Sequence, residues 1–281
     1  MSAASSHRRV AVIGYPVAHS RSPLIHNYWL KLYGIPGSYD RIEVAPAELA
    51  AFIGNFADQG LVGCNVTVPH KEQVARLVRI VDSETARLGS VNTLWMEQGE
   101  LVATSTDGYG FLQNLRSAAP DFALERQTAM ILGAGGAARP VIAALRSAGV
   151  EHIHLANRTA ARATTLAAEF GEGIHPIGWD AIPALLETTG LLVNATSLGM
   201  EGGGPLFIDL SPLPSDAIVA DIVYVPLETE LLLQARARGL RCVDGLGMLL
   251  HQAVPGFERW FGRRPEVTPE LRALLVRDLT R

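Results

Sequence analysis

Short apolar runs alternate with stretches of helical periodicity along the whole chain. In the first half, the runs typical of strands occupy residues 10–13, 38–44, 62–66, 91–96 and 101–104. The stretches typical of helices occupy residues 23–33, 46–57, 71–78 and 83–88. Gln98-Gly99 lies between the last two strands and favours a hairpin. These elements predict an α/β domain with a mixed sheet.

The second half alternates strands and helices more regularly. Its predicted strands occupy residues 128–132, 152–156, 191–194, 217–221 and 241–243. Its predicted helices occupy residues 137–148, 160–170, 248–261 and 269–279. Gly149 and Gly171 directly follow two of these helices, as is typical of helix C-termini. The pattern predicts a doubly wound parallel sheet, separated from the first half by a loop-like stretch at residues 118–127.

Composition and charge exclude several classes of protein. The chain has 281 residues and a net charge of -4, whereas a nucleic-acid-binding domain needs a concentrated basic face. No apolar run approaches the roughly 20 residues that span a bilayer, and the polar first nine residues lack a secretory signal. Cys64 and Cys242 are far apart in the sequence and indicate a reducing compartment, and the histidines show no metal-ligand spacing. We expect a soluble, cytoplasmic monomer or homodimer that binds a small molecule, without a metal.

The glycine-rich segment Gly133-Ala134-Gly135-Gly136-Ala137 is the strongest local signal in the chain. It follows a predicted strand and opens a predicted helix, and this context is typical of a nucleotide-binding turn. Glycine permits the tight turn and lets the backbone approach a pyrophosphate, while the helix N-terminus offers unpaired N–H groups. Ala138 replaces the third glycine of the G-x-G-x-x-G pattern, which tolerates alanine there. The segment predicts a nicotinamide-dependent oxidoreductase.

The end of the next predicted strand indicates which dinucleotide binds. NAD-binding domains usually carry Asp or Glu about 20 residues after the first glycine, where it holds the ribose 2′-hydroxyl. This chain instead has Asn157-Arg158-Thr159, and Arg162 follows one helical turn later. The alternative is a solvated helix face, but like charges four residues apart repel mildly without an anion between them. Because two guanidinium groups can bind a 2′-phosphate that a carboxylate would repel, we predict NADP.

These signals divide the chain into three parts. Residues 1–117 are expected to form an N-terminal α/β substrate domain with a mixed sheet. Residues 118–245 are expected to form a Rossmann-type, doubly wound NADP domain. The C-terminal helices, residues 246–281, are expected to return to the first domain and pack on it.

Polar side chains cluster where the predicted strands of the first half end. They are Ser20, Ser22, Thr67, Lys71, Asn92 and Asp107. Only two of the 24 basic residues are lysines, Lys31 and Lys71, and lysine can release its proton in a suitable environment whereas arginine cannot. Taken singly, helix N-capping explains Ser22 and Asp107 at least as well as a functional role.

Nine short segments follow one another along residues 10–260. In the first half they are the serine segment at 20–22, N-V-T-x-P-x-K at 65–71, V-N-T at 91–93 and T-D-G-x-G at 106–110. In the second half they are the glycine-rich turn, N-R-T at 157–159, N-A-T-S-L-G-M at 194–200, D-I-V-Y-V-P-L-E-T at 221–229 and D-G-L-G-M-L-L-H-Q-A at 244–253. Taken together and in this order, the segments resemble the shikimate dehydrogenase family.

The resemblance implies an oxidoreductase that uses NADPH to reduce 3-dehydroshikimate reversibly to shikimate, in aromatic amino-acid and chorismate biosynthesis. It implies that Lys71 and Asp107 are the catalytic pair. It implies substrate-binding roles for Ser20, Ser22, Thr67, Lys71, Asn92, Asp107, Tyr224 and Gln252. The cofactor residues that it implies are Gly133, Ala134, Gly135, Gly136, Ala137, Asn157, Arg158, Thr159, Arg162, Thr196, Ser197, Met200, Ile222, Gly245 and Met248.

The sequence leaves open which of Lys71 and Asp107 moves the proton, because a neighbouring carboxylate favours the charged amine and burial disfavours it. An NAD-dependent quinate/shikimate dehydrogenase is an alternative function, but it should carry an acid near Arg158 and often has threonine in place of Ser22. A catalytically silent nucleotide-binding regulator should lack one of the catalytic pair. Ser90 and Ser105 stand where the family usually has alanine and asparagine, which affects local hydrogen bonding only.

Overall fold

The computed structural model describes residues 7–280, which form two compact units. The first unit extends to Asp107 and also includes Gln252–Asp278, and the second consists mainly of Gly108–His251. These divisions differ from the boundaries expected after residues 117 and 245. The observed divisions lie inside two continuous helices, α5 (Asp107–Ala118) and α10 (Gly245–Phe261). A sequence pattern, in contrast, places a domain boundary in a loop.

The first unit is built on a six-stranded mixed sheet. Its strands are β1 (Arg8–Gly14), β2 (Gly37–Glu43), β3 (Gly63–Val66), β4 (Arg79–Ile80), β5 (Thr93–Glu97) and β6 (Glu100–Thr104). Its helices include α1 (Ser22–Tyr33), α2 (Leu49–Gly54), α3 (Lys71–Ala75) and α4 (Ser83–Leu88). The strand order is β2-β1-β3-β5-β6-β4, with β1 parallel to β2 and β3, and β5 antiparallel to β3 and β6. The predicted mixed sheet is confirmed.

Two predicted helices of this unit are shorter than expected. The helix predicted at 46–57 is limited to α2, because Asn55 leaves the helical conformation (φ -104°, ψ 23°) and a short 3₁₀ turn, Phe56–Gln59, follows. The helix predicted at 71–78 ends at Ala75, and the chain then forms β4 beside β6, which the pattern did not indicate because β4 has only two residues.

The second unit is built on a parallel six-stranded sheet. Its strands are β7 (Thr128–Leu132), β8 (His152–Ala156), β9 (Ile174–Ile177), β10 (Leu191–Asn194), β11 (Ile218–Asp221) and β12 (Arg241–Val243). Its helices include α5, α6 (Ala138–Ser147), α7 (Ala160–Phe170), α8 (Ile182–Leu186), α9 (Glu230–Ala237) and the start of α10. The order β12-β11-β10-β7-β8-β9 is that of a Rossmann sheet, whose ligands bind where the order reverses, between β7 and β10.

Burial on both faces explains the almost continuous apolar runs of this sheet. Along β7, Ala129 and Ile131 belong to one core cluster, whereas Met130 and Leu132 belong to another on the opposite face. A strand covered on both sides by helices needs apolar side chains at every position. A strand of such a parallel sheet can therefore be predicted from its own apolar sequence, without knowing which strand pairs with it.

The C-terminal helices belong largely to the first unit. Nε1 of Trp260, near the end of α10, donates to the carbonyl of Leu94 on β5 at 2.8 Å. Nε1 of Trp29 on α1 donates to the carbonyl of Glu266 at 2.9 Å, just before α11 (Pro269–Leu279). Although α10 has 17 residues, no helix in the described part of the chain is long and apolar enough to cross a membrane.

His26 is a fully buried histidine in the core of the first unit. Its ring stacks on that of Tyr39, with centroids 4.1 Å apart. Within residues 7–280 neither of its ring nitrogens has a hydrogen-bond partner. Because a charged imidazole is poorly solvated there, burial lowers the pKa of His26 from 6.5 to about 3.

We expect this histidine to make the first unit sensitive to acid. Below pH 6.5 the unfolded chain binds a proton at His26, and the folded chain does so only near pH 3, so stability falls as the pH falls between these values. When the pH falls from about 7 to about 4.5, the wild type should therefore lose about 2–3 kcal/mol more of its unfolding free energy than His26→Phe does. Denaturant unfolding at the two pH values measures the difference. His19→Phe, a change at an exposed histidine, should keep the wild-type acid sensitivity; the same sensitivity in His26→Phe would contradict the assignment.

Candidate active site

Lys71 and Asp107 lie in contact in the first unit. Lys71 is the first residue of α3, and Asp107 is the first residue of α5. Nζ of Lys71 donates to Oδ2 of Asp107 at 2.6 Å, and the two side chains are 28% and 16% exposed. The pair is thus partly buried but still reachable by a small molecule, as an acid/base site requires.

Asn92 connects this ion pair to α10. Its Nδ2 donates to the other carboxylate oxygen of Asp107 at 2.9 Å and to Oε1 of Gln252 at 3.2 Å. Its Oδ1 accepts the backbone N–H of Thr106 at 2.9 Å, and the Thr106 hydroxyl donates to the carbonyl of Gln252 at 2.8 Å. The structure therefore brings Lys71, Asp107, Asn92 and Gln252 together. Thr106 was not among the predicted site residues, although it stands in the T-D-G-x-G segment.

The two predicted serines form a separate pair at the N-terminus of α1. The backbone N–H of Ser22 donates to Oγ of Ser20 at 3.3 Å, and Ser22 is only 7% exposed. Ser22 is already inside the helix, whose N-cap residue is Arg21 and has no side-chain cap bond. N-capping therefore does not account for Ser22. Asp107 likewise uses its carboxylate on Lys71 and Asn92.

Two further predicted substrate residues lie elsewhere. Thr67 directly follows β3, and its methyl group packs so closely on Gly14 that a Cβ there would approach it to 2.5 Å. Tyr224 belongs to the second unit, in the loop after β11. The structure thus assigns Tyr224 to a different unit from the other predicted substrate residues.

The glycine-rich turn joins β7 to α6 at the reversal point of the second sheet. Gly133 has φ +104°, and a Cβ there would lie 2.9 Å from both the carbonyl oxygen of Ala195 and Cγ2 of Thr196. Around Gly135 and Gly136, in contrast, an added Cβ would meet no atom of the described residues within 4 Å. Gly133 is therefore required by the fold, whereas Gly135 and Gly136 leave open space in which a pyrophosphate fits before the helix N-terminus.

A cavity of about 660 Å³ opens from this turn. Predicted cofactor residues that line it are Gly133, Ala134, Gly135, Asn157, Arg158, Arg162, Thr196 and Ser197. The remaining wall includes Trp179, Pro205, Leu206 and Phe207. Two guanidinium groups beside an apolar wall suit a phosphorylated nucleoside, so these residues fit NADP. The sequence did not indicate the apolar wall, because its residues are far from the glycine-rich turn and match no motif.

Asn157 links two segments of the chain that line this cavity. Its Oδ1 accepts the backbone N–H of Ala134 at 3.1 Å, and its Nδ2 donates to the carbonyl of Thr159 at 2.9 Å. Thr159 is the N-cap residue of α7. Asn157 therefore holds the glycine-rich turn against the segment that carries Arg158.

The other predicted cofactor residues lie in different places. The backbone N–H of Gly245 donates to the carbonyl of Val223 at 3.2 Å, and Ile222 and Met248 pack on the same core cluster. Met200 is 48% exposed and lines another cavity, of about 580 Å³, with Glu201 and Pro226. Gly136 and Ala137 lie in the glycine-rich turn but do not line the 660 Å³ cavity.

A buried polar network, not predicted as part of the site, supports the loop after β10. Oδ1 of Asp221 accepts hydrogen bonds from Nδ2 of Asn194 at 3.0 Å and the N–H of Val223 at 2.9 Å, and its Oδ2 accepts the Thr229 hydroxyl at 2.7 Å. Oδ1 of Asn194 in turn accepts the N–H of Thr196 at 3.0 Å. Burial raises the pKa of the Asp221 carboxyl, against the lowering effect of these hydrogen bonds. The network fixes Thr196 against Gly133.

The two kinds of glycine in the turn should respond differently to alanine. Gly133→Ala forces a Cβ into backbone and an unfavourable φ, so it should cost about 1–3 kcal/mol of stability and abolish NADP binding. Gly135→Ala meets only open space in the protein, so its Tm should equal that of the wild type while the KM for NADP rises. Thermal unfolding and initial rates measure both quantities. An unchanged KM in Gly135→Ala would show that the phosphates do not lie over this residue.

A unit with a Rossmann sheet, a phosphate-binding turn and two cavity arginines, together with a unit that holds a Lys–Asp pair, defines a two-domain dinucleotide-dependent oxidoreductase. Residues 12–94 match the shikimate dehydrogenase substrate binding domain, residues 116–199 match shikimate / quinate 5-dehydrogenase, and residues 245–275 match the shikimate 5'-dehydrogenase C-terminal domain. The chain belongs to the shikimate dehydrogenase family, and the resemblance seen in the motifs is confirmed.

Individual relatives agree with this assignment. The chain is 55% identical to shikimate dehydrogenase (NADP(+)) of Azorhizobium caulinodans, over 97% of both chains. It is 36% identical to shikimate 5-dehydrogenase of Thermus thermophilus, solved in complex with NADP(H) and shikimate, with a TM-score of 0.83 over 97% of this chain and 99% of that one. Quinate dehydrogenase of Corynebacterium glutamicum, solved with NAD, is 30% identical, with a TM-score of 0.88 over 96% and 99% of the two chains.

Proposed function

We propose that the chain catalyses the reversible, NADP-dependent reduction of 3-dehydroshikimate to shikimate. The observation that carries this proposal is the 2.6 Å hydrogen bond between Lys71 and Asp107. It joins two motif residues in a chain that is 55% identical to an NADP-dependent shikimate dehydrogenase along nearly its whole length. The product belongs to aromatic amino-acid biosynthesis.

Lys71 is the acid/base residue in this proposal. When bound, the nicotinamide supplies the hydride to the ketone carbon. The ketone oxygen then becomes an alkoxide, which Nζ of Lys71 stabilises as an ammonium and to which it donates a proton. In the oxidation direction the same nitrogen accepts the proton of the hydroxyl group. Asp107 holds Nζ in place, and its second oxygen is fixed by Asn92.

We assign the ring hydroxyls and the carboxylate of the substrate to polar side chains, of which all but Tyr224 lie in the first unit. Asn92 and Gln252 are already in contact with each other and with Asp107 or its neighbour Thr106. Ser20 and Ser22 supply hydroxyl groups at the N-terminus of α1. Thr67 and Tyr224 complete the set of substrate-binding residues that we propose. Short hydroxyl and amide groups are suited to a polyhydroxylated ring, because each can donate or accept a hydrogen bond.

The phosphates of NADP are assigned to the second unit. The open space over Gly135 and Gly136 accommodates the pyrophosphate, and Arg158 and Arg162 bind the 2′-phosphate by charge-assisted hydrogen bonds. Asn157, Thr159, Thr196 and Ser197 provide the neighbouring polar groups. We assign Ile222, Gly245 and Met248 to the nicotinamide end.

An NAD-dependent quinate dehydrogenase is the second candidate, and the likeness to the Corynebacterium enzyme favours it. The end of β8 argues against it, because an acid that would hold a ribose 2′-hydroxyl is replaced by Arg158. A silent regulator is disfavoured by the intact pair of Lys71 and Asp107.

Initial rates with four substrate pairs separate these functions. Purified protein is given NADP or NAD with shikimate or quinate, and the formation of reduced nicotinamide is followed by absorbance. We expect the highest kcat/KM with NADP and shikimate. Strong turnover of quinate with NAD, or no turnover with any pair, would contradict the proposal.

We further propose that the enzyme works in the cytoplasm, as a monomer or a homodimer. Cys64 is buried, Cys242 is partly buried and both are free thiols, which suits a reducing compartment. Size-exclusion chromatography with light scattering at several concentrations distinguishes the two oligomeric states.

A further inference from the structure

Phe207 is an exposed aromatic residue that lines the nucleotide cavity of the second unit. It is 67% exposed, whereas its neighbours Leu206 and Ile208 are 2% and 8% exposed and belong to the core. The two buried neighbours fix the backbone of Phe207, while its ring stays outside the core. A ligand that covers this ring therefore gains apolar contact without having to order the backbone that carries it.

The ring is part of an apolar wall and is not an isolated surface residue. Trp179, Pro205, Leu206 and Phe207 line the same cavity of about 660 Å³. Leu206 belongs to one core cluster, and Trp179 packs against that cluster. Single exposed apolar residues are common on protein surfaces, but several of them in the wall of a cavity indicate a ligand with an apolar face.

The order of the strands determines which part of a dinucleotide meets this wall. The glycine-rich turn follows β7, Arg158 follows β8, and Trp179 begins a 3₁₀ turn after β9. These strands are neighbours in the parallel sheet, so the turn, the arginine and the tryptophan follow one another along its carboxyl edge. The adenosine ribose of NADP carries the 2′-phosphate and connects the pyrophosphate to the base. Because we assign the pyrophosphate to the turn and the 2′-phosphate to Arg158, the base extends toward Trp179.

We propose that Phe207 stacks on the adenine ring of the dinucleotide, at the end of the cavity that Trp179 lines. The inference rests on the proposed binding of NADP and names the residue that binds its base. An aromatic side chain binds a base through its π face, which every dinucleotide cofactor with adenine presents. Phe207 therefore adds affinity for the adenosine half and does not recognise the 2′-phosphate.

A binding titration with adenosine 2′,5′-bisphosphate, the adenosine half of NADP, tests the contact directly. Phe207→Ala should raise its Kd about tenfold, the effect of losing one base–aromatic stack. Phe207→Tyr keeps the ring and should bind within about twofold of the wild type. Phe207→Leu keeps an apolar side chain without a π face and should show most of the loss. Isothermal titration calorimetry measures each Kd, and the Tm should stay that of the wild type because the side chain is exposed.

Steady-state rates separate this role from that of the two arginines. Phe207→Ala should raise the KM for NADP and the KM for NAD by the same factor, because both cofactors carry adenine, and kcat should change less than about twofold. Leu233→Ala is the matched control. Leu233 lies on α9, is 45% exposed and does not line the cavity, so the loss of its apolar surface should leave both KM values unchanged.

Trp179 gives a second measure of binding that does not require turnover. The chain has four tryptophans, and the other three, Trp29, Trp95 and Trp260, are buried in the first unit. Adenosine 2′,5′-bisphosphate should therefore quench tryptophan emission of the wild type through Trp179. Trp179→Phe should abolish the quenching while calorimetry still detects binding, since phenylalanine keeps an aromatic ring in the wall.

Three results would overturn the proposal: an unchanged Kd in Phe207→Ala, a rise in KM for NADP without a rise for NAD, or quenching that persists in Trp179→Phe. The wild type is measured first, so failure of the proposed function is seen separately. If the wild type binds neither NADP nor the bisphosphate, both proposals fail. If it binds them and does not oxidise shikimate, only the proposed reaction fails. If it does both and Phe207→Ala behaves like the wild type, only the role of Phe207 fails.

Discussion

Lys71→Met should lower kcat for shikimate oxidation by about 10²–10⁴-fold, the usual contribution of a positioned acid/base group. Methionine has similar length and no proton to give, so the alkoxide loses its proton donor. It also leaves the carboxylate of Asp107 without the ammonium group that lies 2.6 Å away in the wild type. Stopped-flow and steady-state rates with saturating NADP measure the loss. The KM for NADP should change little, because Lys71 does not line the nucleotide cavity.

The chain supplies its own control for this experiment. Lys31 is the other lysine of the sequence and is exposed on α1. Lys31→Met makes the same chemical change and should keep wild-type kcat. If Lys71→Met instead retained near-normal kcat and only raised the KM for shikimate, Lys71 would be a binding residue, and Asp107 would become the candidate for the proton transfer.

The double variant Arg158→Gln/Arg162→Gln should raise the KM for NADP by about 100-fold or more while leaving the KM for NAD almost unchanged. Each charge-assisted hydrogen bond to a phosphate is worth roughly 1.5–3 kcal/mol, and NAD lacks the 2′-phosphate that the arginines are proposed to bind. The discriminating quantity is the ratio of kcat/KM for NADP to that for NAD. Glutamine keeps much of the length of the side chain, so the variant removes charge with little change in packing.

Arg146→Gln is the control for the loss of charge. Arg146 lies near the end of α6 remote from the glycine-rich turn, where it donates to the carbonyls of Val150 and Glu151. Its replacement should leave the cofactor preference unchanged. An equal loss of NADP and NAD activity in the double variant would mean that Arg158 and Arg162 stabilise the structure of the cavity and do not recognise the 2′-phosphate.

The fold was largely predictable because the central strands of both sheets are buried along most of their length. Strands β7 and β10 are covered on both faces, so they appear as apolar runs. The short strand β4 was not predicted, because it forms only by pairing with β6. The helix α2 is shorter than predicted, because its end depends on the local backbone conformation at Asn55. Short elements contribute too few residues for a periodic signal.

The candidate site was predictable residue by residue but not as an arrangement. The motifs around Lys71, Asn92 and Asp107 identify chemical groups that a reductase needs. They do not show that Asn92 donates to both Asp107 and Gln252, which is 160 residues away in the sequence. Such contacts form only after the chain folds, so no local pattern encodes them.

The sequence by itself indicated the phosphate-binding turn, the use of NADP and the family, because Gly133, Arg158 and Lys71 stand in motifs whose backbone freedom, fixed charge or titratable amine few other residue types supply. Only the tertiary structure decided how Thr106 holds Asn92 and Gln252 and which apolar residues line the nucleotide cavity. The physical reason is that a buried hydroxyl needs a partner, and that partner is chosen by three-dimensional proximity. Thr106 is the clearest case: the sequence marks it only as part of the T-D-G-x-G segment, and the folded chain brings its hydroxyl to 2.8 Å from the carbonyl of Gln252.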